Sequence, residues 1–254
     1  MLLLSALVLV SGMADGADAA TRRRRKGTRR VTATVTMAKA KPAPAPAPSS
    51  LLLAEDFERI PEGTWFDGGT YGQWRSVYNG YGRNAIEQDG PRGRVLTLSP
   101  LASSQPAETH GALAVSTTRI SGDIDLTATM QTVQQLRTPA PNAWEVPWLL
   151  WNHSDDTHFY YVVLKPNGVE LGKEDPAYPG AQRFLATSAT PGFAVGAWHT
   201  VRVVQRGTTI TVWGNGQQLL QFTDTERPYT AGSVGLYSED ATVRFGDVRA
   251  VRPA

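Results

Sequence analysis

From Leu53 onward, apolar residues recur with a period of two, in short runs cut by Gly, Pro, Asn and Asp. Asp123–Thr132 is the clearest case. Ile124, Leu126, Ala128 and Met130 fall on one side of an extended strand, and Asp125, Thr127, Thr129 and Gln131 on the other. His199–Gln205 also alternates, with Val201 and Val203 opposed to Arg202 and Val204. Runs rich in β-branched and aromatic residues lie at Val95–Leu98, Ala112–Thr117, Val146–Trp151, Phe159–Leu164, Val169–Lys173, Trp198–Gln205, Thr208–Trp213, Gln218–Phe222, Ser233–Tyr237 and Thr242–Val251. Asn215-Gly216 reads as a two-residue hairpin turn, and Arg206-Gly207 as a second. No longer window holds a helical period, and there is no internal repeat. The pattern predicts an all-β, two-sheet antiparallel β-sandwich or jelly roll.

Within this pattern the segment from Pro141 to Tyr178 stands out. It holds three of the seven tryptophans and two of the four histidines. Turns at Asn152–Thr157 and Pro166–Gly168 divide it into three strand-like runs. Alternation puts Glu145, Pro147, Leu149 and Trp151 on one face of the first run, and Trp144, Val146, Trp148 and Leu150 on the other. In the second, His158, Tyr160, Val162 and Leu164 oppose Phe159, Tyr161, Val163 and Lys165. In the third, Glu170, Gly172 and Glu174 oppose Val169, Leu171 and Lys173. The Asn152–Thr157 loop leaves the register of the first hairpin open. Pro147 points to an edge strand or a bulge.

Charge divides the chain. Residues 1–50 carry nine Lys/Arg against two Asp, whereas the rest carries 16 basic and 21 acidic residues. The basic balance therefore belongs to the start of the chain, and no nucleic acid is expected on the folded part. Leu2–Val10 is apolar and Ala17-Asp18-Ala19 fits a cleavage site, so residues 1–20 read as a signal peptide, although no basic residue precedes the apolar run. This implies a secreted, extracellular bacterial protein, or one anchored in the membrane if the signal is not cleaved. Residues 21–51 join the block RRRRKGTRR to the Pro-Ala stretch KPAPAPAPSS and read as a disordered, semi-rigid linker whose basic part touches anionic surfaces. Residues 52–254 form the domain, expected as a monomer. The sequence has no cysteine, which excludes disulfides, thiolate chemistry and cysteine zinc sites.

Aromatic rings offer flat apolar surface to sugar rings, while carboxylates and lysines bind their hydroxyls. Trp144, Trp148, Trp151, His158, Tyr160, Tyr161, Lys165, Lys173, Glu174 and Tyr178 are the candidate substrate-binding residues. Glu145 and Glu170 are the candidate catalytic pair, since glycoside hydrolysis needs two carboxyl groups across the scissile bond. The competing reading makes these acids rim residues paired with Lys165 and Lys173. His153-Ser154-Asp155-Asp156 with His158 admits a metal loop, but Asp-Asp-Thr more simply forms a hairpin turn. The glycines around Asp67–Gly72 and Gly80–Gly82 lack the strand-to-helix setting of a phosphate loop.

The C-terminal run, GAWHTVRVVQRGTTITVWGNGQQLLQFTDTERPYTAGSVGLYSEDATVRFGDVRAV, resembles the end of concanavalin A-like and laminin-G-like jelly-roll domains. The nearest likeness is to 3-keto-disaccharide hydrolase-like, family-16-type domains of secreted bacterial proteins. The resemblance covers about Leu52 to Val251. It implies a curved sheet meeting carbohydrate, and a structural Ca²⁺ where the first and last strands meet, with Asp56, Glu58 and Asp247 in those places. The alternating carboxylates of family 16 glycoside hydrolases are missing around Glu145, and so are the strand motifs of jelly-roll alginate lyases. The expectation is a secreted module that binds polysaccharide without a cofactor. The alternatives are a glycoside hydrolase or, after it, a polysaccharide lyase, and a structural surface domain without a sugar ligand.

Overall fold

The computed structural model describes residues 50–105 and 107–254. The signal peptide and most of the linker fall outside the described residues. Seventeen strands are present among them. They are β1 (Leu51–Glu55), β2 (Gly63–Trp65), β3 (Thr70–Tyr71), β4 (Trp74–Tyr78), β5 (Arg83–Gln88), β6 (Arg94–Ser99), β7 (Gly111–Ser121), β8 (Ile124–Gln135) and β9 (Pro147–Asp155). There follow β10 (His158–Lys165), β11 (Gly168–Glu174), β12 (Gln182–Ser188), β13 (Trp198–Arg206), β14 (Thr209–Gly214), β15 (Gln217–Thr223), β16 (Ala231–Glu239) and β17 (Ala241–Val251). One sheet runs β15-β14-β13-β8-β17-β6-β5-β2, with β1 also on β17, and the other runs β12-β11-β10-β9-β16-β7-β4-β3. All pairings are antiparallel, and the two sheets pack as a sandwich.

Every run named from the sequence is a strand. β1 to β5 and β12 come in addition, from stretches whose turn residues and exposure hide their alternation. The Asn215-Gly216 turn is as expected, with both residues at positive φ (49° and 83°) between paired Gly214 and Gln217. The preceding turn is Gly207-Thr208, because Arg206 pairs with Thr209 and Gly207 takes φ 54°.

The first hairpin of the aromatic segment also differs. β9 continues to Asp155, and only Asp156-Thr157 turns. Asp155 Oδ1 accepts from Thr157 N at 2.9 Å, which closes the turn. Tyr160 then faces Trp151, and Val162 faces Leu149. β9 is an interior strand between β10 and β16, not an edge strand. Pro147 is its first residue, where a missing N–H costs least. The bend falls instead near Asn152, at φ 52°, where the register against β10 and β16 shifts.

The main core lies between the sheets and includes Leu149, Trp151, Tyr160, Val162, Leu171, Val201, Leu236 and Phe245. A second apolar cluster sits on the outer face of the β9-containing sheet, made of Leu113, Val146, Trp148, Leu150, Phe159, Tyr161 and Val163. β9 to β11 are thus buried on both faces along most of their length. Each large side chain buried this way contributes about 1.5–3 kcal/mol.

Candidate functional site

The outer face of the β9-containing sheet carries a chain of touching aromatic rings. Trp148 lies 4.5 Å from Tyr161 and meets Tyr237 edge-on at 5.6 Å. Tyr161 reaches Phe159, and Phe159 stacks on His153. Cross-strand pairing sets this order, since Tyr237 on β16 faces Trp148 on β9, which faces Val163 on β10, which faces Glu170 on β11. The Tyr161 and Trp148 rings are covered, at 0% and 4% exposure, and form a floor rather than an open platform.

The acids on this face are held in different ways. Glu170 Oε2 accepts from Lys165 Nζ at 2.6 Å and its Oε1 from the Tyr161 hydroxyl at 3.0 Å. Glu145 lies in the turn before β9, fully buried, accepting from Arg137 Nε at 2.5 Å and Asn142 Nδ2 at 2.8 Å. The same guanidinium donates to Asp240 Oδ2 at 2.6 Å, so one arginine bridges two buried carboxylates. The expected catalytic pair is thus engaged in two separate ion pairs. Glu174 is also buried, and its carboxyl is pushed up to about 8 by burial and, next, by the charge of Glu239.

Glu239, on β16, is half-buried. Burial, and after it the charges of Asp240 and Glu145, push its carboxyl up to about 7 against the hydrogen bond from Tyr237, at 2.9 Å. Its cross-strand partner is Gly111 on β7. A Cβ on Gly111 would come within 2.6 Å of the Tyr237 hydroxyl, so this glycine lets the phenol reach Glu239. Gly111 also lines an open groove of about 450 Å³ together with Asp67, Tyr78, Tyr81, Thr109 and His110. Burial, then the charges of Asp156 and Glu239, raise the Tyr78 phenol, which stays protonated. His110 Nδ1 faces the Leu101 carbonyl at 2.8 Å, and its Nε2 lies 3.2 Å from Glu108. Tyr81 stands 83% exposed at φ 63°, edge-on to the His110 ring at 5.3 Å. A non-glycine residue held there carries backbone strain of about 1–2 kcal/mol. The groove therefore carries the neutral Tyr78 phenol, an imidazole and the exposed Tyr81 ring, and Gly111 sets it beside the Tyr237–Glu239 pair, whose carboxyl is pushed up to about 7.

The residues expected from the sequence divide by face. Trp148, Tyr161, Lys165, Glu170 and Glu174 lie on the outer face. Trp151, Tyr160 and Lys173 point into the sandwich at 0% exposure, out of reach of a ligand on that face. Trp151 Nε1 donates to Gln205 Oε1 at 2.8 Å. Lys173 Nζ donates to Asp224 Oδ2 at 2.8 Å, and the Tyr160 hydroxyl to the same oxygen at 2.6 Å. These bonds outweigh burial and hold the Asp224 carboxyl below its usual range. Trp144 is 37% exposed, and its carbonyl accepts from Trp148 Nε1, which sets it at the rim of the aromatic floor. His158 pairs with Asp155 at the hairpin tip, 2.9 Å away. Tyr178 lies between the Arg183 and Arg227 guanidiniums, at 4.7 and 4.9 Å from its ring.

Asp56, Glu58 and Asp247 do not converge on a cation site. Glu58 Oε1 accepts from Arg94 N and Asp56 Oδ1 from Glu58 N, while Asp247 is exposed. Among the described residues no three His, Cys, Asp or Glu side chains gather as metal ligands. Asp56 and Glu58 cap their own turn and tie it to β6.

Sequence reasoning missed Glu239, Tyr237, Tyr78, Tyr81 and His110. One signal was present. In SVGLYSED, Gly235, Tyr237 and Glu239 share one side of a strand, opposite Val234, Leu236 and Ser238.

With this geometry in hand, known proteins supply a frame. Residues 62–250 match the family described as 3-keto-alpha-glucoside-1,2-lyase-like domain. The chain belongs to that family, and its fold is a concanavalin A-like jelly roll. Among curated proteins, no sequence match was found. Solved structures share the fold at low identity. The carbohydrate binding module CBM66 from Bacillus subtilis is 16% identical at a TM-score of 0.52, over 70% of this chain and 95% of that one. A sialidase is 11% identical at 0.52, over 80% of this chain but 19% of its own. A structure from work on endo-acting O-glycanases of the human gut microbiota is 11% identical at 0.53, over 81% of this chain and all of the other.

Proposed function

We propose that this protein binds a glycoside in the groove beside Tyr78, Gly111 and His110, and that it acts there on a 3-keto-glucoside by elimination across C1 and C2. The observation that carries this reading is the Glu239 carboxyl, raised to about 7 and hydrogen-bonded by Tyr237 next to the groove. A base is most effective when its pKa lies near the working pH. A ketone at C3 acidifies the hydrogen on C2. Ionised Glu239 takes that proton, the C–H electrons form a C1=C2 double bond, and the C1–O bond breaks. The departing oxygen receives the proton back from the Glu239 carboxyl. The products are an unsaturated keto sugar and an alcohol, and no water is consumed.

The test is release of p-nitrophenol from p-nitrophenyl 3-keto-α-glucoside. Wild type is expected to release it with a rate that rises with pH through about 7 and then levels, as the base form fills. Glu239→Gln is expected to lose about 10²–10⁴-fold in kcat while still binding the sugar. Unchanged release from the variant would sink the reading.

A second reading, a glycan-binding module without chemistry, is favoured by the exposed rings of Tyr81, Trp144 and Phe184. It predicts retention on a glycan panel with no product from wild type. Secretion through the Leu2–Val10 segment, and adhesion of the basic tail to anionic surfaces, belong to either reading. A cell-fractionation experiment on the full chain tests the first of these.

A further inference from the structure

We propose a second saccharide-binding site on the outer face of the opposite sheet, where Arg244, Gln131 and Trp198 stand side by side on β17, β8 and β13. Pairing puts Arg244 opposite Gln131 and Gln131 opposite Trp198. Two buried polar atoms in this row have no partner, the Nε–H of Arg244 and Oε1 of Gln131. Gln131 Nε2 donates to the Gly196 carbonyl at 2.7 Å, which fixes which end of the amide is left unpaired. The orphans are thus one donor and one acceptor. A hydroxyl satisfies both, accepting from Arg244 and donating to Gln131, and a carboxylate or phosphate oxygen cannot. Leaving such groups unpaired is costly, so their coincidence in one row needs an explanation.

The neighbours supply the rest of a sugar site. Trp198 is half-exposed, and Asp89 holds it by Nε1 at 3.1 Å while holding Arg244 at 2.7 Å, so the ring and the donor share one anchor. The β17 backbone is irregular here, and a Cβ on Gly246 would lie 2.6 Å from Thr129 Oγ1. Gly246 thus lets the backbone approach a third buried group without a partner, the Thr129 hydroxyl. Arg92 lies over this point, with its guanidinium 4.1 Å from the Trp198 ring centre. Arg92 is itself exposed and makes no ion pair or hydrogen bond among the described residues through its side chain. The ligand is a neutral pyranose that replaces Arg92 on the Trp198 face and places a hydroxyl between Gln131 and Arg244. This site is independent of the groove at Glu239.

The experiment uses the full chain with ¹⁵N-labelled tryptophan. It is titrated with methyl α-glucopyranoside, methyl β-galactopyranoside and methyl N-acetyl-β-glucosaminide, the Trp198 indole signal being assigned by Trp198→Phe. The expected result is a saturable shift of that signal with at least one glycoside. It is lost in Gln131→Leu, while the remaining indole signals report an intact fold. Arg92→Ala is expected to bind about two- to five-fold more tightly, the weight of an exposed cation–π contact. Glu239→Gln leaves the titration unchanged, which separates this site from the groove. If none of the three glycosides moves the signal, or if Gln131→Leu titrates like wild type, the row is a solvent site and the inference is wrong.

Discussion

Glu174 and Glu239 resist ionisation because both are screened from water on the same face, and Glu239 adds its charge to Glu174. Folded, they keep protons up to about 8 and about 7, whereas the unfolded values lie near 4.5. Their stabilising contribution is full below pH 4.5 and is lost as pH rises through those two values. The melting temperature is therefore expected to fall between pH 4.5 and 8, and Glu174→Gln to flatten that fall. A variant as pH-sensitive as wild type would refute the assignment. Asp155 acts in the opposite sense. Hydrogen bonds from His158 and Thr157 outweigh burial and lower it to about 2, so its contribution is lost as pH drops from 3.8 through that value. Glu145→Ala strands Arg137 in a buried site with one carboxylate instead of two. A loss of about 3–5 kcal/mol in urea unfolding is expected. Gly111→Ala forces the Tyr237 hydroxyl away from Glu239, and the midpoint of the pH–rate profile is expected to move with it.

At the level of elements, strands were legible wherever a run was β-branched and at least half covered, as in β8, β13 and β17. The short strands β2 and β3 were not, because they offer too few residues for a period. β12 was missed because it pairs only with β11 and is partly exposed on both sides. The candidate site was legible by position but not by face. β9 and β10 are apolar on both sides, so alternation alone could not tell the core ring Trp151 from the outer ring Trp148. Glu239 escaped notice because its strand reads as turn glycines and core. The polar residues inside the sandwich have an elemental task. Lys173 donates to Asp224 and lies 3.5 Å from Asp175, and Tyr229 N donates to the Tyr160 hydroxyl, which pins the connection from β15 to β16. Lys173→Met leaves Asp224 buried without its cation. Hydrogen exchange is expected to accelerate first at residues 224–230, alongside a global loss of about 3–5 kcal/mol. Uniform acceleration along the chain would speak against a local latch.

For the whole molecule, the two sheets divide the labour. One turns an aromatic, acid-bearing face toward the groove at Tyr78 and Gly111. The other carries arginines and half-exposed tryptophans, with Arg202 over Trp213 at 4.9 Å beside the Trp198 row. β17 holds the second sheet together, since it pairs with β8, β6 and β1. A chain ending at residue 240 leaves β6 and β8 with open edges. It is expected to show no cooperative thermal transition, and a sharp one would contradict the topology. This placement also sets the timing of folding in the cell. The strand that closes the sheet is synthesised after β2 to β16. The nascent chain must leave the ribosome through residue 251 before the sandwich can assemble, and until then its apolar strands are available to chaperones.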